Sequence, residues 1–369
     1  MRILLAPDKF KGTLSARQAA ENIAAGIREV LPAAKIDIVP LADGGEGTAE
    51  VISQAIDGSW QNCQAHDPLG RQIEARYVWV EDRQLAVMEM SEAAGMRRLA
   101  PRDLDPLRAN TFGVGEMILD AAARGAREII IGLGGSATND GGFGLARALG
   151  FEFIAASALK LDGFKPSSLK ELEKVEKPRG LALPPIVAAV DVRNPLLGEN
   201  GATRVFGPQK GATPDKIELL ERALRRLADV VAQEFGFDYR NEPGAGAAGG
   251  LGFGLMSFCD AKVRPGFEVV AEAVGLEEKM KDVDLVITGE GSLDRQTLEG
   301  KTPAGVARLA CALGKRVFAI VGRASQDRQV RELFDGVYQS ARPDMSEQEN
   351  MARAAELLRE NARQLVKLL

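Results

Sequence analysis

Carboxylates, lysines and small hydroxyl residues recur in this 369-residue chain inside short glycine-rich segments. Asp8, Lys9, Lys11 and Thr13 fall in "APDKFKGT", Asp43 and Glu46 in "ADGGEGT", and Ser136, Thr138, Asn139 and Asp140 in "GLGGSATNDGG". Asp191, Arg193 and Asn194 fall in "AVDVRNPL", Gln209 and Lys210 in "FGPQKGAT", and Glu290, Ser292, Asp294, Gln296 and Lys301 in "TGEGSLDRQTLEGKTPAGV". Glycine lets backbone amides come close to a ligand, and small polar side chains add donors without blocking the approach. Carboxylates in such loops can hold a divalent cation or accept a proton, and lysines can neutralise phosphate. The mixture suits phosphoryl transfer, where positioning and charge stabilisation do most of the work. The plainer alternative for single residues is local: Asp43 or Ser15 capping a helix, glycines making tight turns.

Other chemistries find little support. His66 is the one histidine and sits in the turn-like "AHDPLG", so a Ser-His-Asp triad or a multi-histidine metal site has no material. Cys63, Cys259 and Cys311 are far apart and form no CxxC, which indicates neither a disulfide framework nor a thiolate zinc site. "GAGAAG" at 244–249 spells GxGxxG but follows "NEP" instead of a strand, and "EGKT" at 299–302 lacks the first glycine of a P-loop. An NAD-dependent hydroxy-acid dehydrogenase therefore lacks its fingerprint, while a ligand-binding regulatory module would need no acid-base groups at all. A net charge of -5 with acids and bases interspersed argues against nucleic-acid or membrane partners. No apolar run reaches membrane-spanning length and no signal segment opens the chain, so a cytoplasmic location is expected.

The loops need elements to hold them, and the sequence supplies short apolar runs alternating with helical patterns. "RILLA", "KIDIVPL", "EIIIGL", "PIVAAVD", "VDLVITG", "RVFAIVG" and "GVYQS" read as strands buried on both faces of a doubly wound, mostly parallel α/β architecture. Most polar loops follow these strands, where open α/β sheets bind ligands, and are expected to converge on one crevice. Residues 71–92 depart from the pattern: alternation around Glu81 and Asp82 predicts an antiparallel hairpin and a second domain. At 369 residues two domains are the default. The expected division is a discontinuous domain of residues 1–60 plus 270–369 with 61–269 inserted. Residues 160–180 read as a solvated lysine-rich connector, and 347–369 as an amphipathic helix covering a sheet. "GAGAAGGLGFG" at 244–254 fits close helix packing or a site wall equally, and Lys210 reads as exposed or ligand-facing.

Taken in order, "APDKFKGTLSA", "PLADGGEGT", "GLGGSATNDGG", "AVDVRNPLLGENGATRVFGPQKGAT", "GAGAAGGLG" and "TGEGSLDRQTLEGKTPAGVA" resemble the bacterial type I glycerate kinases, from residue 1 to about 340. The tail beyond 340 matches weakly. The resemblance implies ATP-dependent, Mg²⁺-assisted phosphorylation of D-glycerate to 2-phosphoglycerate in glyoxylate, glycerate and aldarate breakdown. It also implies two α/β domains, one Rossmann-like and discontinuous and one with a mixed sheet, with the active site in the cleft between them. The partners implied are D-glycerate and ATP, with a homodimer as the candidate assembly. Such an enzyme must deprotonate a secondary hydroxyl, and with histidine scarce an aspartate at a strand end is the expected base: Asp191 first, Asp294 second. Arg71, Arg193 or Lys9 would grip the substrate carboxylate, and Lys210 or Lys301 would stabilise phosphoryl charge. Asp191 and Glu290 are the expected metal ligands. Asp8, Lys11, Asp43, Glu46, Ser136, Thr138, Asn139, Asp140, Asn194, Gln209, Ser292 and Gln296 complete the expected substrate and phosphate set.

Overall fold

A computed structural model of the chain describes residues 1–155, 160–161, 165–299 and 301–369, apart from the side chains of Gln296 and Glu299. In chain order its strands are β1 (Arg2–Leu5), β2 (Lys35–Ile38), β3 (Ser59–His66), β4 (Gln72–Val80), β5 (Leu85–Glu89), β6 (Glu128–Gly132), β7 (Glu152–Ala155) and β8 (Leu172–Glu176). They continue with β9 (Ile186–Val190), β10 (Lys262–Pro265), β11 (Leu285–Thr288), β12 (Ser292–Leu293), β13 (Arg316–Val321), β14 (Arg323–Ala324) and β15 (Gly336–Gln339). The described residues form an α/β structure that divides into two compact units.

The first unit comprises Met1–Asp43, Glu50–Ile56 and Gly266–Leu369. Its five-stranded sheet is parallel throughout, in the order β15-β13-β11-β1-β2. Ile3, Leu5, Ile287 and Ile320 on one face share a core with the helices Ala16–Val30 and Ala354–Lys367. Leu4, Val286 and Ala319, pointing the other way, are also fully buried, which is why these strands read as unbroken apolar runs. Ser15 opens the first helix with a capping box: its Oγ accepts from the Gln18 amide at 3.2 Å, and Gln18 Oε1 accepts from the Ser15 amide at 2.9 Å. The C-terminal helix buries Leu357, Leu358, Ala362, Leu365 and Val366 and exposes its charges, the amphipathic cover that its sequence predicts.

Chain order along this sheet reverses at β1. β2 is added on one side, and all later strands build outward from β11 on the other. Loops leaving the carboxyl ends of β1 and β11 therefore depart from the switch point of a doubly wound sheet, the position at which such folds accept ligands.

The second unit comprises Gly44–Ala49 and Asp57–Pro265. Its six-stranded sheet runs β10-β9-β6-β5-β4-β3, with β10, β9, β6 and β5 parallel and β4 and β3 antiparallel. The predicted hairpin is β4 and β5, joined by a turn at Glu81–Arg83. His66 ends β3, with Nδ1 2.8 Å from Glu116 Oε1, in keeping with its turn-like sequence.

Residues 160–180 correct the expectation of a solvated connector, although 162–164 lie outside the described residues. Pro166–Glu171 forms a 3-10 turn that leads into β8, β8 pairs antiparallel with β7, and Leu169, Leu172 and Val175 are buried in the unit's core. Lysines and glutamates on the outward positions conceal those three anchors.

Candidate active site

In the first unit the loop after β1 carries Asp8 against the loop after β11. The Asp8 amide donates to the Gly289 carbonyl at 2.8 Å, and Thr288 Oγ1 donates to the Ala6 carbonyl at 2.8 Å, which ties the two strand ends together. Asp8 is 5% exposed; its Oδ2 accepts from Thr302 Oγ1 at 2.6 Å and its Oδ1 from the Lys9 amide at 2.6 Å. Burial first, and the charge of Asp43 second, push its carboxyl up to about 6. Lys9 Nζ is 3.6 Å from Asp43 Oδ1.

Glu290, two residues past β11, is 9% exposed and accepts from Thr297 Oγ1 at 2.9 Å. Burial pushes its carboxyl up to about 7, opposed by the Thr297 hydroxyl and the Lys301 charge and reinforced by Asp8 and Asp294. The sequence therefore brings Asp8, Glu290, Asp294, Lys9, Asp43 and Lys301 into one charged cluster at the switch point. Lys11 and Ser292 are exposed beside it, and the expected role of Gln296 lies outside the described residues.

In the second unit, loop 132–142 follows β6. Only Gly134 and Gly135 in it are half-exposed; the other residues are buried. A Cβ on Gly134 would lie 2.6 Å from Gly45 Cα, and one on Gly135 would lie 2.7 Å from Glu46 Oε1. Two glycine-rich backbones thus pack directly on each other. Glu89, at the end of β5, accepts from the amides of Gly47 at 2.8 Å and Ala49 at 3.2 Å, placing a carboxylate at the start of the helix Thr48–Ala55. Its carboxyl is held above the ordinary range by burial.

The side chains of loop 132–142 that the sequence marks as ligand donors are buried in this structure. Asp140 is fully buried: Oδ2 accepts from the Thr111 amide and hydroxyl, both at 2.8 Å, and from the Gly144 amide at 3.0 Å, while Oδ1 accepts from Gly142 at 3.2 Å. With its oxygens so engaged, Asp140 fixes the loop to the helix Phe143–Ala148. Asn139 Nδ2 donates to Thr203 Oγ1 at 2.9 Å, and both Asn139 and Thr138 are 0% exposed. Among the described residues Thr138 Oγ1 and Asn139 Oδ1 have no hydrogen-bond partner. The loop exposes backbone only at Gly134 and Gly135, and Asp140, Asn139 Nδ2 and Ser136 Oγ anchor it internally.

Lys210, read as exposed or ligand-facing, is 1% accessible, and its Nζ donates to Ser136 Oγ at 2.6 Å and to the Thr138 carbonyl at 2.7 Å. Burial lowers its ammonium to about 7, with the charge of Asp140 opposing. A glycine-tight turn at 207–211 carries the stem inward, so the lysine braces the loop from beneath.

Beneath the same loop lies the helical segment Ala247–Cys259 from "GAGAAGGLGFG", broken near its start by left-handed backbone at Ala248, Gly249 and Gly250. Gly249 has φ +71°, and a Cβ there would lie 1.9 Å from the Thr138 carbonyl oxygen. Its own carbonyl accepts from the Gly141 amide at 3.1 Å. The small residues serve close packing against the site loop, so the two readings of this stretch merge.

Asp191 is exposed immediately past β9, the strand beside β6. Asn194 is committed to its own loop, with Nδ2 donating to the Asn200 carbonyl at 2.8 Å. Gln209 is exposed. Arg71 spends its Nε on Asp67 Oδ2 at 2.5 Å. Glu89 was missed because the amides it binds lie forty residues earlier and no side-chain motif announces them. Among the described residues no three His, Cys, Asp or Glu side chains gather to hold a metal by themselves.

The sequence profile of the glycerate kinase family matches residues 3–369, the tail beyond 340 included. The chain is 42% identical over 369 residues to a glycerate kinase of Halalkalibacterium halodurans, covering 98% of this chain and 97% of that one. The chain belongs to the glycerate kinase family. It is also 43% identical over 331 residues to the glycerate 2-kinase of Escherichia coli K12, covering 89% and 86% of the two chains. A crystal structure of a Salmonella typhimurium LT2 protein assigned as glycerate kinase 2 superimposes with a TM-score of 0.88 at 40% identity, covering 100% of this kinase and 98% of its relative. Among the described residues of the kinase no helix is long and apolar enough to cross a membrane.

Proposed function

We propose that this kinase transfers the γ-phosphoryl group of ATP to the 2-hydroxyl of D-glycerate, giving 2-phosphoglycerate and ADP, in the breakdown of glyoxylate, glycerate and aldarates. The observation that carries the reading is the paired glycine loops of the second unit. The half-exposed backbone of Gly134 and Gly135 lies against 44–46 and is braced by Lys210, an arrangement suited to holding an anion with amides. The glycerate 2-kinase of E. coli, 43% identical over 331 residues, supports the 2-position.

The cluster at the switch point of the first unit fits a divalent cation bound with its nucleotide. Asp8 and Glu290 are buried carboxylates raised partly by each other's charge or that of neighbouring carboxylates, and a cation would relieve the repulsion. Mg²⁺ commonly uses one or two carboxylates and takes its remaining ligands from phosphate and water, a demand that Asp8 and Glu290 can meet. When bound, the ion would neutralise developing phosphate charge. Lys9 and Lys301 would add to that neutralisation, and Asp191, exposed at its strand end, would take the hydroxyl proton. We assign these two units as the two domains of the kinase.

A coupled assay of ADP release with D-glycerate, ATP and Mg²⁺ tests the reaction, and phosphorus NMR of the product tests the position. Phosphorus on C2 couples to one neighbouring proton and gives a doublet; phosphorus on C3 couples to two and gives a triplet, which would overturn the assignment. Asp191→Asn is expected to lower kcat at saturating substrate by about a hundredfold or more. If Asp191→Asn kept near wild-type kcat while Asp294→Asn abolished it, the base assignment would pass to Asp294.

A further inference from the structure

We propose that an arginine-lined cavity of the second unit, apart from the glycine loops, binds a small polyanion bearing phosphoryl or clustered carboxylate groups. The cavity has a volume of about 310 Å³, and its lining includes Glu74, Arg76, Glu92, Arg97 and Arg98. That is the size of a metabolite pocket.

One buried carboxylate serves three cations there. Glu92, its side chain 9% exposed, has Oε1 2.7 Å from Arg97 and 3.5 Å from Arg76, and Oε2 2.8 Å from Arg98. Positive charge is left in excess even after Glu74 is counted. The guanidiniums remain accessible, with side chains 54%, 40% and 26% exposed for Arg76, Arg97 and Arg98. They are also held in place. Arg98 Nε donates to the Glu92 carbonyl at 2.6 Å, Arg97 Nε to the Ser91 carbonyl at 3.2 Å, and the Arg76 guanidinium lies 4.2 Å above the Trp60 ring. Preorganised guanidinium forks match the paired oxygens of phosphate and carboxylate groups.

The segment holding these arginines is hydrogen-bonded to the site loop. The Ala137 amide donates to the Ala94 carbonyl at 2.9 Å, and the Met96 amide donates to the Gly135 carbonyl at 2.9 Å. An occupant that tightens residues 91–98 therefore tightens a ladder shared with loop 132–142.

Tryptophan fluorescence of the full chain, titrated at constant ionic strength with pyrophosphate and separately with citrate, tests the site. Trp60 reports on it, because Trp79 is buried and engages Glu81 with its indole nitrogen. The expected result is a saturable change with at least one probe, and the better probe identifies the phosphoryl or the carboxylate class. The dissociation constant should weaken about tenfold in Arg76→Gln and in Arg97→Gln, each shown by circular dichroism to be folded. It should tighten in Glu74→Gln, and hydrogen exchange at the amides of Met96 and Ala137 should slow on binding. No saturable response to either probe, or a dissociation constant unchanged in both arginine variants, overturns the proposal. Neither result depends on the kinase reaction being assayed.

Discussion

Lys210 and Glu290 bring opposite pH dependences into one protein. Lys210 titrates near 7 in the folded chain, below its unfolded value. Above 7 the unfolded chain holds the extra proton, so this residue makes stability rise with pH until the ordinary lysine range is reached. Glu290, raised from 4.5 to about 7, keeps a proton that the unfolded chain has already released, so its contribution falls as pH rises across that window. Glu290→Gln should therefore be more stable than the parent at pH 8, by on the order of 3 kcal/mol, and equal to it near pH 4. Thermal melts across this range check it. Lys210→Met should flatten the rise in melting temperature above pH 7. It should also lower kcat by about tenfold or more, because Ser136 Oγ and the Thr138 carbonyl lose their shared donor. A Lys210→Met enzyme of unchanged kcat would show that the brace does not matter to the reaction.

At the scale of elements, the loop 132–142 and the helix beneath it are one packed object. Gly249 and Gly236 allow the packing to be separated from backbone strain, since both have positive φ, +71° and +78°, but only Gly249 faces a carbonyl; Gly236 has open space. Gly236→Ala should cost about 1 kcal/mol or slightly more, from φ alone. Gly249→Ala should cost several-fold more and remove activity along with stability; melting curves and ADP release on the two variants decide it. Legibility in the sequence followed the same division between local pattern and packing. The strands β1, β6, β9, β11 and β13 were readable because burial on both faces leaves an unbroken apolar run. The hairpin of β4 and β5 was readable because β4 opens with polar–apolar alternation over Gln72–Tyr77 and a polar turn at Glu81–Arg83 separates the two apolar runs. β8 was not, because a bulge opposite Ile154 and Ala155 breaks the period and sets its buried residues, Leu172 and Val175, three apart. β10 has only the four residues Lys262–Pro265, half of them exposed, and gives no apolar signal. Residue types picked out the polar loops, but the direction of their side chains was hidden: the burial of Asp140 and Lys210 depends on Thr111 and Ser136, distant in sequence from each.

At the scale of the whole chain, the two sheets differ in how far apart their partners lie. The six-stranded sheet closes entirely within residues 59–265, whereas β1 must pair with β11, with Ile3 opposite Leu285. Closing longer loops is slower. In refolding followed by pulsed hydrogen exchange, the amides of β5, β6 and β9 should become protected before those of β1 and β11. Simultaneous protection would instead mean that the two units fold as one cooperative block.

The same pairing matters to a ribosome. β1 is made first, yet its partner β11 emerges about 280 residues later, which at ordinary elongation rates is an interval on the order of tens of seconds. Throughout it, Ile3, Leu4 and Leu5 lack the strand that completes their sheet. A nascent chain of this kinase therefore carries an open apolar edge through most of its synthesis, the kind of surface that chaperones exist to cover.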